Sequence, residues 1–367
     1  MRILAIDVGT GTQDILLFDS EQDIENCPQM IMPSPTAVVA GRVRAATARR
    51  EPLLLTGVTM GGGPSHWATM DHIRSGLPVY ATPVAAQTFD DDLEQIREMG
   101  IQVVSVDEAA GLTGVCHVEM RDLYVDAVQS ALAAFGADPS FDALAVAVFD
   151  HGAAPPGYSD RKFRFDYLGE RMARSRDVAA LAFGRDDVPA EMTRLKAVGD
   201  CVDGNLPLLL MDTAPAAVLG ALDDPNVGTA SNAVAVNVGN FHCLAFRLEG
   251  GLVTGLFEHH TGELERTELE RYVERLAAGT ITNQEVFDDM GHGALLIGEP
   301  GALRGHRVAV TGPRRGLLNE SMLRPYAAVP HGDMMLAGCF GLLRGYAWRF
   351  PEGAEAIERR LGPRPRP

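Results

Sequence analysis

The sequence predicts an α/β protein made of two related halves, and three observations carry that prediction. The first is the opening stretch Ile3 to Asp19, two apolar runs joined by a glycine-rich turn. The second is its echo more than two hundred residues later, at Asn232 to Leu248, again two apolar runs about a glycine turn. The third lies between them, where short apolar runs alternate with amphipathic segments, the pattern of βα units on a mainly parallel sheet. A repeat at this separation points to two halves built on one plan.

In the opening stretch, Ile3-Leu4-Ala5-Ile6 ends at Asp7, breaks at Gly9-Thr10-Gly11-Thr12 and resumes at Ile15-Leu16-Leu17-Phe18. This reads as a β-hairpin. Glycines let backbone N–H groups approach an anion, Thr10 and Thr12 add hydroxyl donors, and Asp7 at the strand end suits a magnesium ion. The turn is built like a phosphate cradle. No Gly-Lys-Ser/Thr follows it, and it leads into a strand rather than a helix, so it is neither a Walker loop nor a dinucleotide fingerprint. Gln29 to Met32, closed by prolines, adds a third, edge strand.

From Pro52 the alternation begins. Leu53 to Val58, Leu77 to Tyr80 and Ile101 to Val106 read as strands, with helical patterns at His66 to Ser75 and Asp90 to Met99. Met120 to Phe135 has helical spacing with Gly136 as its stop, and Asp142 to Phe149 is a buried-type strand leading to Asp150-His151-Gly152. Up to about Asp200 the signal is weaker. Leu208 to Met211 is then a strand and Thr213 to Leu222 a helix with an early proline. After the repeated hairpin, Leu252 to Phe257 is a third strand, and Thr267 with Glu270 and Thr282 with Glu285 offer capping boxes. Gly279 should end the first of those helices. Arg307 to Thr311 is a strand leading to Gly312, and Gly332 to Trp348 is a last apolar helix. The expected divisions are residues 1–200, residues 201–350 and a partly disordered tail at 351–367, whose end is rich in proline.

Composition narrows the function. The chain has 367 residues, 46% hydrophobic, a formal charge of −17 and a pI near 5.0, against a nucleic-acid or anionic-membrane surface. No secretory or membrane-spanning segment is visible. The cysteines, Cys27, Cys116, Cys201, Cys243 and Cys339, are scattered with no C-x-x-C pair, which suits a reducing cytoplasm.

The D-x-G-T stretch between two strands resembles the first phosphate motif of the actin, sugar kinase and heat-shock ATPase superfamily. Asp212-Thr-Ala-Pro-Ala-Ala-Val-Leu-Gly220, Val236-Asn-Val-Gly-Asn240 and Val310-Thr-Gly312 then follow in the order of three motifs of its carbohydrate-kinase branch. The resemblance implies a two-domain actin-like ATPase (ribonuclease H-like) fold with an interdomain cleft. It also implies ATP and Mg2+ as cofactors. In that branch the segment at Asp212 carries the catalytic aspartate, the turn at Gly239-Asn240 is the second phosphate motif, and Gly312 contacts adenosine. Two departures weigh against tight ATP binding: Asn240 and Phe241 replace small hydroxyl residues, and Pro313 stands where a second adenosine glycine belongs. Gly338 and Gly341 resemble the close-packing helix after the adenosine strand.

On physical grounds, Asp7 fits a metal-positioning role and Asp212 a general base, with an N-cap as Asp212's other reading. Thr59 to His66 follows a strand and precedes a helix; it is an anion site or a plain turn. His151 and the basic run from Arg161 to Arg164 line a pocket for an acidic substrate or a solvated loop. Glu258-His259-His260 with Glu263 lacks the histidine pair of H-E-x-x-H, and Gly291-His292-Gly293 is generic.

Phe257 to Leu264, Asp288 to Ala294 and Asp150 to Pro155 also resemble a prokaryotic family whose members carry the label pyruvate formate-lyase activating enzyme. That label implies an iron–sulfur radical enzyme, and the chain has no C-x-x-x-C-x-x-C. Three functions follow. The first is an ATP-dependent phosphotransferase on a small hydroxylated metabolite, the second an ATPase that activates or matures a partner enzyme, the third a nucleotide-free binding protein.

Overall fold

The computed structural model describes residues 1–155 and 157–366. In chain order its strands are β1 (Arg2–Val8), β2 (Thr12–Asp19), β3 (Gln29–Pro33), β4 (Leu53–Gly57), β5 (Val79–Ala81), β6 (Ile101–Val103) and β7 (Cys116–Met120). They continue as β8 (Ala143–Val148), β9 (Ala182–Gly184), β10 (Leu208–Met211), β11 (Asn232–Val238), β12 (His242–Glu249) and β13 (Leu252–His260). The last are β14 (Gly293–Leu296), β15 (Arg307–Thr311) and β16 (Tyr326–Ala327).

Two sheets share one plan. The first runs β3-β2-β1-β8-β10-β9 and the second β14-β13-β12-β11-β15-β16. In each, an antiparallel meander of three strands is extended by two parallel strands: β1 with β8 and β8 with β10, then β11 with β15 and β15 with β16. Each half adds one antiparallel strand of its own, β9 beside β10 and β14 beside β13. This is the doubled ribonuclease H-like core of the actin-like ATPase fold. A third, all-parallel sheet, β6-β5-β4-β7, stands between β3 and β8 in the chain and accounts for the βα rhythm of the sequence.

The two hairpins match residue for residue at their turns. The Gly9 N–H donates to Thr12 O at 2.9 Å, and the Gly239 N–H to His242 O at 2.9 Å. Asp7 therefore corresponds to Asn237, and Thr12 to His242.

Between the sheets lie two helices, Thr213–Ala221 and Ala337–Arg349. They cross so closely that a Cβ at Gly220 would overlap the Ala337 carbonyl, and one at Gly341 the Ala216 carbonyl. Only glycine permits that approach. One continuous core, from Ile3 and Ala145 through Leu219 and Phe340 to Phe246, joins both halves through this pair. Separate cores cover the outer face of each main sheet and the inserted sheet.

Three expectations are corrected. The first sheet runs past residue 200, because β10 pairs with β8. The capping box of helix Arg266–Ala278 is made by Glu265 and Glu268, two residues earlier than Thr267 and Glu270. The segment after residue 350 is not a disordered tail: Pro351–Leu361 is a helix with Ile357 and Leu361 buried. Arg344 donates to the Leu361 and Gly362 carbonyls, and Arg364 pairs with Asp177 at 2.8 Å. Pro367, the last residue of the expected tail, lies outside the described residues. Among the described residues no helix is long and apolar enough to cross a membrane.

Candidate functional site

Both turns open onto a cleft of about 1220 Å³ that the inserted sheet also borders. Of the residues singled out in the sequence, Asp7, Gly9, Thr10, Thr12, His151, Gly239 and Asn240 line it.

At its floor, Asp7 and Asp14 sit directly opposite one another on β1 and β2. Thr213, first residue of its helix, donates its hydroxyl to Asp7 Oδ1. Gly338 lies against the other oxygen, leaving no room for a Cβ. Burial first, then the Asp14 charge, pushes the Asp7 carboxyl up to about 8. Burial likewise pushes Asp14 to about 7, with Asp333 adding to the effect. Asp14 Oδ1 is buried without a partner. Two facing carboxylates with an unfilled lone pair are the donor set of a hard divalent cation. Asp14 was missed in the sequence, although the hairpin register alone places it opposite Asp7.

Above this pair, Ser34 fixes the first turn. Its hydroxyl donates to Thr10 O at 2.6 Å and its N–H to Gly11 O at 3.1 Å, while Ser34 also caps helix Pro35–Arg49. Among the described residues no acceptor takes the N–H of Thr10 or Gly11. The turn thus offers two backbone donors and the Thr12 hydroxyl. The second turn comes close to it: a Cβ on Gly11 would lie 2.5 Å from Asn240 Nδ2.

The loop Thr59 to Gly63 forms a cleft wall. Thr36 donates to Gly62 O at 2.5 Å, Asp122 accepts the Gly61 N–H, and Arg194 grips Asp122 at 2.6 Å while donating to Phe149 O. Arg194, also missed in the sequence, holds the wall in place.

Three expected site residues are engaged elsewhere. Asp212 does not line the cleft: Oδ1 caps helix Thr213–Ala221 through Ala214 N at 3.1 Å, and Oδ2 accepts from Arg164 at 2.8 Å. Arg161 donates to the carbonyls of Phe287 and Gly291 and lies over the Phe287 ring, so it braces a loop rather than facing a substrate. Gly312, with φ of 97°, packs on the β11 backbone at Val238 where a Cβ would collide. Its neighbour Pro313 reaches the cleft instead.

The far wall is acidic, with Asp90, Asp91, Asp92, Glu94, Asp150 and Asp160. An acidic substrate does not suit it, which corrects the pocket expected from Arg161 and His151. Burial, then Asp160, Asp90 and Asp150, pushes Asp91 up to about 6.

Behind the second turn lies a buried polar knot. Arg164 is 3% exposed and joins the halves, donating to Asp212, to Asp150 O and to Glu258 Oε2 at 2.8 Å. Glu258 is fully buried, and burial pushes it up to about 7 despite Arg164. Four histidines gather beside it. His242 stacks on Phe149 at 3.8 Å, His151 on His292 at 5.2 Å, and His260 approaches His292 at 4.5 Å. Burial, aided by Arg164, holds His151 near 3, and burial with the neighbouring imidazoles holds His242 and His292 well below the ordinary 6.5. Strand alternation sends Glu258 and His260 to this side and His259 to the other, against Tyr272. The cluster read along the sequence as Glu258-His259-His260 is therefore split by the pleat.

Fold and cleft together have the architecture of the actin-like ATPase fold. Residues 60–317 match the model of a family described as "Putative pyruvate format-lyase activating enzyme (DUF1786)", and the chain belongs to that family. Comparison with curated proteins finds no match. Among solved structures, ethanolamine utilization protein EutJ from Carboxydothermus hydrogenoformans is 13% identical over 93% of this chain and 89% of its own, with a TM-score of 0.32. A "putative N-acetylmannosamine kinase" from Listeria monocytogenes is 9% identical, covering 95% and 99% of the two chains, with a TM-score of 0.36. A Ppx/GppA family member from Aquifex aeolicus is 11% identical over 98% and 97%, with a TM-score of 0.29. Overlaps this loose do not bear on activity.

Proposed function

We propose that the cleft binds a magnesium–ATP complex and transfers its terminal phosphoryl group to a small, hydroxylated, uncharged or cationic acceptor. One observation carries the reading: Asp7 and Asp14 face each other directly beneath a turn whose Thr10 and Gly11 N–H groups are unclaimed. The donor set fits both groups. Asp7 and Asp14 would hold the cation, and the first turn with Thr12 would hold phosphate oxygens. The bound ion supplies charge neutralisation for the transferring phosphoryl group.

Thr213 fixes the Asp7 carboxylate, and Gly338 lets helix Ala337–Arg349 press against it. The acidic wall favours hydroxyls or cations and repels anions. Asp91, its carboxyl pushed up to about 6, is the cleft carboxylate suited to accept a hydroxyl proton. Asp212 serves this reading by capping the helix that presents Thr213.

The family description names an activator of another enzyme. Iron–sulfur chemistry asks for several neighbouring thiolates. Here Cys116 lies in the inserted sheet, Cys243 on β12 and Cys339 on helix Ala337–Arg349, and the described residues hold no cysteine triad within ligand distance. The residues do not fit such a cluster.

Calorimetric titration tests the reading. Wild type should bind ATP with Mg2+ and lose at least about tenfold without it, and Asp14→Asn should abolish that difference. Equal ATP binding with and without Mg2+, or none, would overturn it.

A further inference from the structure

We propose that His151, His242 and His292 form a transition-metal site, oriented by Glu258, with an open coordination position facing the cleft. One ring nitrogen from each of the three histidines lies within 4.8 Å of the other two, within reach of a single ion. They arrive from well-separated parts of the chain: the loop after β8, the first residue of β12 and the residue before β14. The site is thus a product of the assembled fold.

Packing alone does not account for the arrangement. Both ring nitrogens of His292 are buried without a hydrogen-bond partner, as are His242 Nδ1 and Glu258 Oε1. His292 is 1% exposed and Glu258 fully buried, so water does not satisfy them freely. Glu258 Oε1 faces His242 Nδ1 at 3.6 Å and His292 Nδ1 at 3.5 Å, while its other oxygen is fixed by Arg164. A carboxylate accepting Nδ1–H from two imidazoles leaves each Nε2 lone pair for a cation. One bound ion and two such contacts would satisfy the orphaned atoms together.

Three imidazoles without thiolate or hard oxygen suit Zn2+, Fe2+, Co2+ or Ni2+ and disfavour Mg2+ and Ca2+. His151 and His242 both line the cleft, so a fourth ligand comes from its contents. His242 also occupies the place that Thr12 holds in the first hairpin. The two turns thereby differ in kind: carboxylates stand behind the first and imidazoles behind the second.

The test uses purified full-length protein, freed of metal by chelator dialysis and titrated without nucleotide. Zn2+ is followed by calorimetry and Co2+ by its visible absorption. Wild type should take up one equivalent and give the Co2+ band of imidazole ligation. His292→Ala and His242→Asn should each weaken uptake more than about 100-fold, and Glu258→Gln about 10–100-fold, the range for a lost orienting carboxylate. His117→Ala, on the inserted sheet, should bind as wild type, and excess Mg2+ should not displace the ion. Thermal unfolding of the metal-free variants confirms that they are folded. Absence of stoichiometric Zn2+ or Co2+ uptake, or uptake unchanged in folded His292→Ala and His242→Asn, would overturn the proposal. Neither result depends on whether ATP binds.

Discussion

Asp7 and Asp14 pose a problem that only a cation or protons can solve, and its pH dependence has a definite sign. Unfolded, each carboxyl titrates near 3.8; folded, Asp7 is pushed to about 8 and Asp14 to about 7. Between those values the folded chain holds more protons, so their contribution to stability is whole below 3.8 and gone above the folded values. The cation-free protein should lose stability as pH rises toward 8. Mg2+ competes with those protons, so its affinity should climb over the same interval with proton release, readable by calorimetry in buffers of different ionisation enthalpy. Affinity that is flat or falls with pH would place the cation elsewhere. Asp212 makes a second residue-scale case. Asp212→Asn keeps a capping oxygen but takes the charge away from buried Arg164, so melting should drop while residual turnover stays within about tenfold. A loss on the order of 10²–10⁴ in turnover at unchanged stability would instead restore the general-base role. The sequence revealed Asp7 because a strand end and a glycine turn announce it. Asp14 and Arg194 needed register and tertiary contact, which single residues do not display.

Elements were legible where their period was strong. The repeated hairpin, strands β4, β5 and β6 of the insertion and the Gly279 stop of helix Arg266–Ala278 stand close to where the pattern puts them, whereas β7 gave no signal of its own. The capping box slipped to Glu265 and Glu268 because glutamate, a poorer cap than threonine by propensity, won through local geometry. The glycines of the crossing helices were readable as small residues but not as a necessity. Their carbonyl contacts make that necessity testable. Gly341→Ala should force the helices apart and cost about 1–3 kcal/mol or more, seen as a lower denaturant midpoint. An unchanged midpoint would mean the crossing is looser than described. Ser34→Ala should cost about 0.5–2 kcal/mol as a lost cap. It should also weaken nucleotide binding, because the same side chain holds the Thr10 carbonyl. Loss of stability alone would separate the cap from the turn.

Across the whole molecule the sequence disclosed two halves but not the way they are tied. The joining groups are charged and internal: Arg164 spans both sheets, and Arg344 pairs with Asp223 at 2.8 Å while holding the last helix through carbonyls. Arginines in a chain so acidic read as surface residues, which is why their partners were invisible. Arg344→Ala leaves buried Asp223 with His331 Nε2 at 3.1 Å in place of a guanidinium, and should cost about 3–5 kcal/mol with protease sensitivity after residue 350. Wild-type melting in that variant would remove Arg344 from the tie. The order of synthesis adds a further consequence. β1 is made before both groups that surround Asp7: Thr213, far later in the chain, donates to it, and Gly338, later still, packs against it. Domains otherwise fold from the N-terminus as they emerge. Here β1 waits for a helix made much later, so a growing chain carries Asp7 and Asp14 without the hydroxyl and the close packing that fix Asp7 until that helix has emerged.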